Sequence, residues 1–105
     1  MKIIETSIFT KRLKLLLPDE DYRKFQNVLI LNPKSGKLIK GSGGLRKIRW
    51  SIPGKGKSGG VRVIYYYVMK EEIILMLLIY PKSERDDLTK EQQKILKSLV
   101  KEEFK

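Results

Sequence analysis

Apolar residues recur at helical spacing in three parts of the chain. Residues 8–17, which end before Pro18, carry an apolar stripe opposite a basic one, and residues 19–31 carry a second stripe behind an acidic start. Both patterns are typical of amphipathic helices, and the acidic start suits the positive end of a helix dipole. Thr89, with Gln92 three residues later, forms a capping-box pattern. We therefore predict two consecutive helices near the N-terminus and one helix near the C-terminus.

Strand patterns occupy the other apolar segments. Residues 3–4 form a short strand candidate, and residues 45–52 alternate between a largely apolar face and a basic one. Residues 61–68 and 73–80 are apolar on both faces, which favours an antiparallel hairpin at the centre of a sheet. Residues 34–44 contain four glycines and are predicted to form a loop.

The predicted order of elements is β-α-α-β-β-β-α. A chain of 105 residues in this order is expected to form one small α+β domain, spanning residues 1–105, with a mostly antiparallel sheet. We expect the helices to pack on one face of the sheet and to leave the other face for a basic site.

The charge of the chain is strongly positive and unevenly placed. Lys and Arg number 23 against 12 Asp and Glu, for a net charge of +11. Residues 22–70 contain twelve of the basic residues and none of the acidic ones. This block favours a polyanionic partner, with nucleic acid first, an acidic protein second and a membrane surface third.

The chain contains neither cysteine nor histidine. Disulfides and thiolate metal sites are therefore excluded, and the usual acid–base side chain is missing. We expect no metal site and no cofactor, so that catalysis would use Lys, Arg, Tyr, Ser or carboxylate groups. The N-terminus lacks the apolar run of a signal peptide, and residues 73–80 are too few to span a bilayer. These features predict a cytoplasmic protein with no membrane partner.

Residues 54–62 read Gly-Lys-Gly-Lys-Ser-Gly-Gly-Val-Arg and form the main candidate site. Lys55 and Lys57 lie on a glycine-rich loop that leads into a strand, and Arg62 is the only charge in that strand. A charge in an apolar strand is costly unless it is paired, lies at an edge or is functional. A P-loop is rejected, because Ser51 stands where the first glycine should be and a strand follows the loop.

Strand pairing brings further cations to the same place. With the turn near residues 70–72, Arg62 lies opposite Tyr80 and beside Lys82, with nothing negative nearby. Clustered cations depress one another's pKa, so that one lysine can act as a base while the others hold a phosphate. The simpler alternative is a plain phosphate-binding patch.

A second group of residues is predicted to bind RNA. Arg46, Lys47 and Arg49 supply basic side chains from the strand at residues 45–52, and its face with Lys47 and Arg49 is expected to be exposed. Among the aromatic residues, which are mostly expected in the core, Tyr80 is the best candidate for stacking on an RNA base.

Three segments together resemble a known family. Residues 44–49 (Gly-Leu-Arg-Lys-Ile-Arg), the loop and strand at 54–66, and residues 79–84 (Ile-Tyr-Pro-Lys-Ser-Glu) look like the HigB branch of the RelE/ParE toxin superfamily. The resemblance implies a RelE-like fold and the toxin of a bacterial toxin–antitoxin pair. Such toxins enter the ribosomal A site and cleave mRNA, and a cognate antitoxin protein keeps them inactive.

The resemblance also implies a metal-independent endoribonuclease reaction. The substrate 2′-OH attacks the adjacent phosphate and leaves a 2′,3′-cyclic phosphate and a free 5′-OH. Of Lys55 and Lys57, one would deprotonate the 2′-OH and the other would hold the phosphate. Arg62 would stabilise the phosphorane oxygens, and Lys82 would protonate the leaving group or contact the phosphate.

The chain departs from the family pattern in two places. Several members carry arginine where Ser83 stands, and some use a tyrosine or histidine as general acid near Leu88 and Thr89. Two other functions are compatible with the same sequence. One is a non-catalytic RNA-binding or ribosome-associated module, and the other is an adaptor for an acidic protein.

Overall fold

The computed structural model describes residues 1–52, 60–84 and 87–104. In chain order, the elements are β1 (Lys2–Glu5), α1 (Ser7–Leu16), α2 (Asp19–Leu31), β2 (Lys37–Leu38), β3 (Leu45–Trp50), β4 (Val61–Val68), β5 (Ile73–Pro81) and α3 (Lys90–Glu103). The strands form one sheet in the order β1-β5-β4-β3-β2. Strand β1 runs parallel to β5, and the other pairs are antiparallel. The predicted α+β class and the mostly antiparallel sheet are confirmed.

Local signals in the sequence account for the starts of the helices. The Thr6 side chain accepts a hydrogen bond from the backbone N–H of Phe9 at the start of α1. Helix α2 begins with three acidic residues in its first turn. At α3, the side chains of Thr89 and Gln92 each bond the other's backbone N–H, which is the predicted capping box.

One strand was not predicted. Lys37 and Leu38 of β2 pair with Lys47 and Arg46 of β3, within the segment that we expected to be only a loop. Two residues are too few to show the alternation that marks a strand. The observed order is therefore β-α-α-β-β-β-β-α.

The sheet has a hydrophobic core on each face. Helices α1 and α2 pack on one face, and the main contributions come from Phe9, Leu13, Phe25 and Leu29 with Val63, Tyr65, Ile74 and Met76. Helix α3 packs on the other face, through Leu96 and Val100 with Leu45, Ile64, Leu75 and Leu77. The prediction that all the helices pack on one face is wrong, because β4 and β5 are apolar on both sides and both sides need a cover.

Strands β4 and β5 pair with one irregularity. Tyr65 lies opposite Met76 and Ile64 lies opposite Leu78, so Leu77 is an extra residue in β5. Such a bulge places two successive side chains on one side of the strand, and Leu77 and Leu78 both belong to the α3-side core. Among the residues described, no helix is long and apolar enough to cross a membrane.

Candidate active site

Two arginines face each other near the ends of the central strands. In the register of the sheet, Arg49 of β3 lies opposite Arg62 of β4, and Arg62 lies opposite Tyr80 of β5. Residues that are directly opposite point to the same face, here the face that α3 partly covers. Like charges in this arrangement repel, which destabilises the sheet unless anions compensate the repulsion. The predicted pairing of Arg62 with Tyr80 is confirmed.

These two arginines line a cleft of about 210 Å³. Its lining residues are Arg49, Trp50, Ser51, Gly60, Arg62 and Lys82. The backbone N–H of Lys82 donates to the Gly60 carbonyl at 3.2 Å, which ties the end of β5 to the start of β4. Arg62 is only 3% exposed, whereas Arg49 and Lys82 are exposed. Among its described lining residues, the cleft has one buried guanidinium and two accessible cations, and Lys82 lies beside Arg62 as expected.

The two loop lysines of the sequence hypothesis, Lys55 and Lys57, lie outside the described residues, so their roles stay predictions. The residues on either side of this segment are described. Ser51 and Gly60 both line the cleft. A Cβ added at Gly60 would stand 2.9 Å from the Trp50 carbonyl oxygen, so β3 and β4 approach closely at this point.

An acidic residue that the sequence analysis missed lies beside this cluster. The Asp87 carboxylate forms an ion pair with the Lys47 ammonium. The hydrogen bond and charge of Lys47, followed by the charges of Arg49 and Arg62, hold the Asp87 pKa below its ordinary value. The expectation that nothing negative lies near the cations is therefore wrong. Asp87 is distant from Arg62 in sequence, and only the path of the chain into α3 brings it close.

Arg46 lies away from the cleft. Its neighbour across the sheet is Tyr65, which belongs to the core beneath α1 and α2. The Arg46 guanidinium donates to the carbonyl oxygens of Lys34 at 3.2 Å and Gly36 at 2.7 Å. The Tyr65 hydroxyl accepts from the Gly36 N–H and donates to the Pro33 carbonyl, each at 2.8 Å. Arg46 thus supports the connection between α2 and β2.

Two more of the four residues predicted to bind RNA, Lys47 and Tyr80, are less accessible than expected. The Lys47 side chain is 17% exposed and is paired with Asp87. Tyr80 is 1% exposed and belongs to the α3-side core, so its ring offers no open face to a base in this structure. Arg49 is the member of this group that lines the cleft.

Three solved structures share this fold. A mutant of the E. coli toxin RelE in the free state is 12% identical, with a TM-score of 0.58 over 81% of this chain and 86% of that chain. The intact E. coli RelBE toxin–antitoxin complex matches at 15% identity, with a TM-score of 0.59 over 76% of this chain and 94% of that chain. The archaeal RelE–RelB complex from Pyrococcus horikoshii matches at 23% identity, with a TM-score of 0.53 over 80% and 97%.

The sequence itself also matches a family. The model of the RelE family, the RelE toxin of the RelE/RelB toxin–antitoxin system, matches residues 1–105. Because this match extends over the described fold and its cationic cleft, the chain belongs to the RelE toxin family.

Proposed function

We propose that this protein is a HigB-type toxin that cleaves mRNA in the ribosomal A site without a metal ion. The observation that carries the proposal is the cleft in which Arg49, Arg62 and Lys82 converge. Two arginines directly opposite each other repel, so an anion bound between them is favoured. A phosphodiester that becomes more negative during reaction fits such a site.

The chemistry needs charge stabilisation at the phosphate. When the 2′-OH attacks, negative charge grows on the two non-bridging oxygens of the phosphorane. Arg62 is held by a central strand, so its guanidinium is oriented before the substrate arrives. A preorganised donor of this kind typically contributes about 10²–10³ in rate. Arg49 is placed to share the same charge, a role that the family resemblance did not suggest.

Two proton transfers complete the reaction. One of Lys55 and Lys57 removes the proton from the 2′-OH, and Lys82 gives a proton to the departing 5′ oxygen. Each positioned acid or base is typically worth ~10²–10⁴ in rate. The absence of histidine from the sequence supports a reaction based on lysine. The ribosome supplies the remaining alignment of the mRNA.

The proposed partners follow from the same charges. A cognate antitoxin binds this protein, in keeping with the two similar structures that are complexes of RelE with RelB. The positive charge of the cleft suits acidic groups on that antitoxin. The ribosome and its mRNA are the cytoplasmic target.

The decisive experiment incubates the purified protein with a defined mRNA, with and without programmed ribosomes. New RNA ends are mapped and tested for a 2′,3′-cyclic phosphate. The matched variants are Arg62→Gln in the cleft and Arg23→Gln on the exposed surface of α2. We expect cleavage on the ribosome by the parent and Arg23→Gln proteins, and a loss of at least 100-fold, roughly, in Arg62→Gln.

Each other outcome has a definite meaning. Intact mRNA despite tight binding would replace the nuclease with the non-catalytic RNA-binding module. Cleavage that is lost when the scissile phosphate carries a non-bridging sulfur, and is restored by Mn²⁺, would refute the metal-independent reaction. Equal loss of activity in both arginine variants would remove the special role of Arg62.

A further inference from the structure

A second basic cavity lies on the same face of the sheet as the cleft. It has a volume of about 360 Å³ and separates the edge strand β2 from the segment that leads into α3. We call it the edge groove. Its lining residues are Lys37, Leu38, Ile39, Lys40, Lys47, Asp87, Leu88 and Gln93.

The edge groove combines cations with an apolar surface. Lys37 and Lys40 are exposed. Ile39 and Leu88 are half-buried on the α3 side of the sheet and supply the apolar surface. A nucleotide requires both properties, because its phosphate binds cations and its base binds apolar or amide surfaces. An acidic peptide would use the lysines and leave the apolar surface without a partner.

The edge groove is also adjacent to the cleft. Lys47 lines the groove and Arg49 lines the cleft, and these residues are two apart on β3, so they share a face about 7 Å from each other. This spacing is comparable to that of neighbouring phosphates along a nucleic-acid strand. The Asp87 carboxylate lines the groove and also experiences the charges of Arg49 and Arg62. A strand that leaves the cleft in this direction enters the groove.

We propose that the edge groove is a subsite for a nucleotide flanking the cleaved phosphate, with Lys37 and Lys40 on its backbone and Ile39 and Leu88 beneath its base. The inference rests on the proposed function, since the cleft must bind RNA for a flanking subsite to exist. The Lys47–Asp87 pair forms the boundary between the two sites. Its negative member repels phosphate at the boundary, so the backbone phosphates are expected on either side of it.

The test uses the Lys37→Gln/Lys40→Gln double variant. Its matched control is Lys11→Gln/Lys24→Gln, which removes two exposed lysines from α1 and α2 on the opposite face. Binding is measured by fluorescence anisotropy with 2′-O-methyl RNA oligonucleotides of increasing length, which cannot undergo 2′-OH attack. The parent and control proteins should gain affinity when the oligonucleotide is long enough to fill both sites.

The double variant should lose that gain, roughly tenfold in affinity, while binding the shortest oligonucleotides as the parent does. The slope of log K against log salt should fall by about 0.7 for each phosphate contact that is lost. Leu88→Asn, which keeps both lysines, should reduce affinity for long oligonucleotides with an unchanged salt slope.

The outcomes separate this inference from the proposed function. If the parent protein binds no RNA and cleaves none on the ribosome, the proposed function fails and the subsite fails with it. If the parent binds RNA and the Lys37→Gln/Lys40→Gln variant matches the control at every length, only the subsite is refuted. The same assay is repeated with polyglutamate as an acidic-protein probe. If the Lys37→Gln/Lys40→Gln variant loses affinity for polyglutamate and keeps its affinity for RNA, the edge groove serves a protein partner and the inference is overturned.

Discussion

Replacing Arg62 with leucine should separate catalysis from stability. Arg62 is 3% exposed within a core strand, so its guanidinium has lost most of its hydration. It also faces Arg49, and like charges directly opposite each other in a sheet are destabilising. Leucine removes the desolvated charge and keeps apolar volume in the strand, which offsets the loss of the contacts that the guanidinium makes. We therefore expect Arg62→Leu to change the free energy of unfolding by less than about 1 kcal/mol.

The same substitution should abolish most of the activity. Leucine offers no hydrogen-bond donor to the phosphorane, so cleavage on the ribosome should fall at least 100-fold, roughly. Toxicity in cells should disappear in parallel, although the protein remains folded. An ordinary core residue would show the reverse pattern, with stability lost before activity.

Tyr65→Phe is the matched comparison on the same strand. Its hydroxyl satisfies the Gly36 N–H and the Pro33 carbonyl, each at 2.8 Å, and both backbone groups would lose their partner. The Gly36 N–H is buried and the Pro33 carbonyl is partly buried, so Tyr65→Phe should lose about 1–3 kcal/mol. Cleavage by the fraction that remains folded should be unchanged.

Urea unfolding and ribosome cleavage, measured on the same preparations, provide the test. A loss of more than about 3 kcal/mol in Arg62→Leu would mean that the guanidinium belongs to a structural ion pair. Full activity in Arg62→Leu would refute its place in the site altogether.

Three other substitutions test separate parts of the structure. Gly36→Ala should lower the free energy of unfolding by about 2 kcal/mol or more in urea, because its Cβ would stand 2.7 Å from the Tyr65 ring. Burial and then Glu5 raise the Tyr22 pKa above its ordinary value of 10.0, and the Tyr22 hydroxyl donates to Glu5 at 2.6 Å. The unfolded chain therefore ionises first, so this stabilisation is present below about pH 10 and is lost as the pH rises. Urea unfolding from pH 8 to 11 should show the loss in the parent protein and a weaker dependence in Tyr22→Phe. Asp87→Asn should raise RNA affinity several-fold at low salt in an anisotropy assay, with the difference shrinking as salt screens the charge. Unchanged affinity would mean that Asp87 does not influence the cleft.

The sequence was sufficient for the central hairpin. Its polar turn located the pairing of Arg62 with Tyr80, and that pairing brought Lys82 to the same end of the sheet. Alternation along β3 also grouped Arg46 with the apolar Ile48 and Trp50. The prediction that Arg46 binds RNA did not take that grouping into account. In the structure, Arg46 donates to backbone carbonyls on the face that α1 and α2 cover.

Sequence patterns could not predict contacts between segments that are distant in the chain. Nothing in the order of residues pairs Lys47 with Asp87, because the contact depends on where the chain crosses the sheet before α3. The position of α3 could have been predicted from the sequence. Because β4 and β5 are apolar on both sides, each face of the sheet must pack against helices, and the amphipathic C-terminal segment was the remaining element able to pack on the second face.

The bulge at Leu77 in β5 determines to which face of the sheet the following side chains point. Before the bulge, Leu75 and Leu77 face α3, and after it Leu78 and Tyr80 face α3. Deleting Leu77 would restore regular alternation and leave Leu78 and Tyr80 on the α3 side, whereas straightening the bulge with Leu77 retained would turn these side chains and the Lys82 that follows them to the opposite face. The bulge, rather than the length of β5, therefore keeps the last cation of the cleft on the same side of the sheet as Arg49 and Arg62.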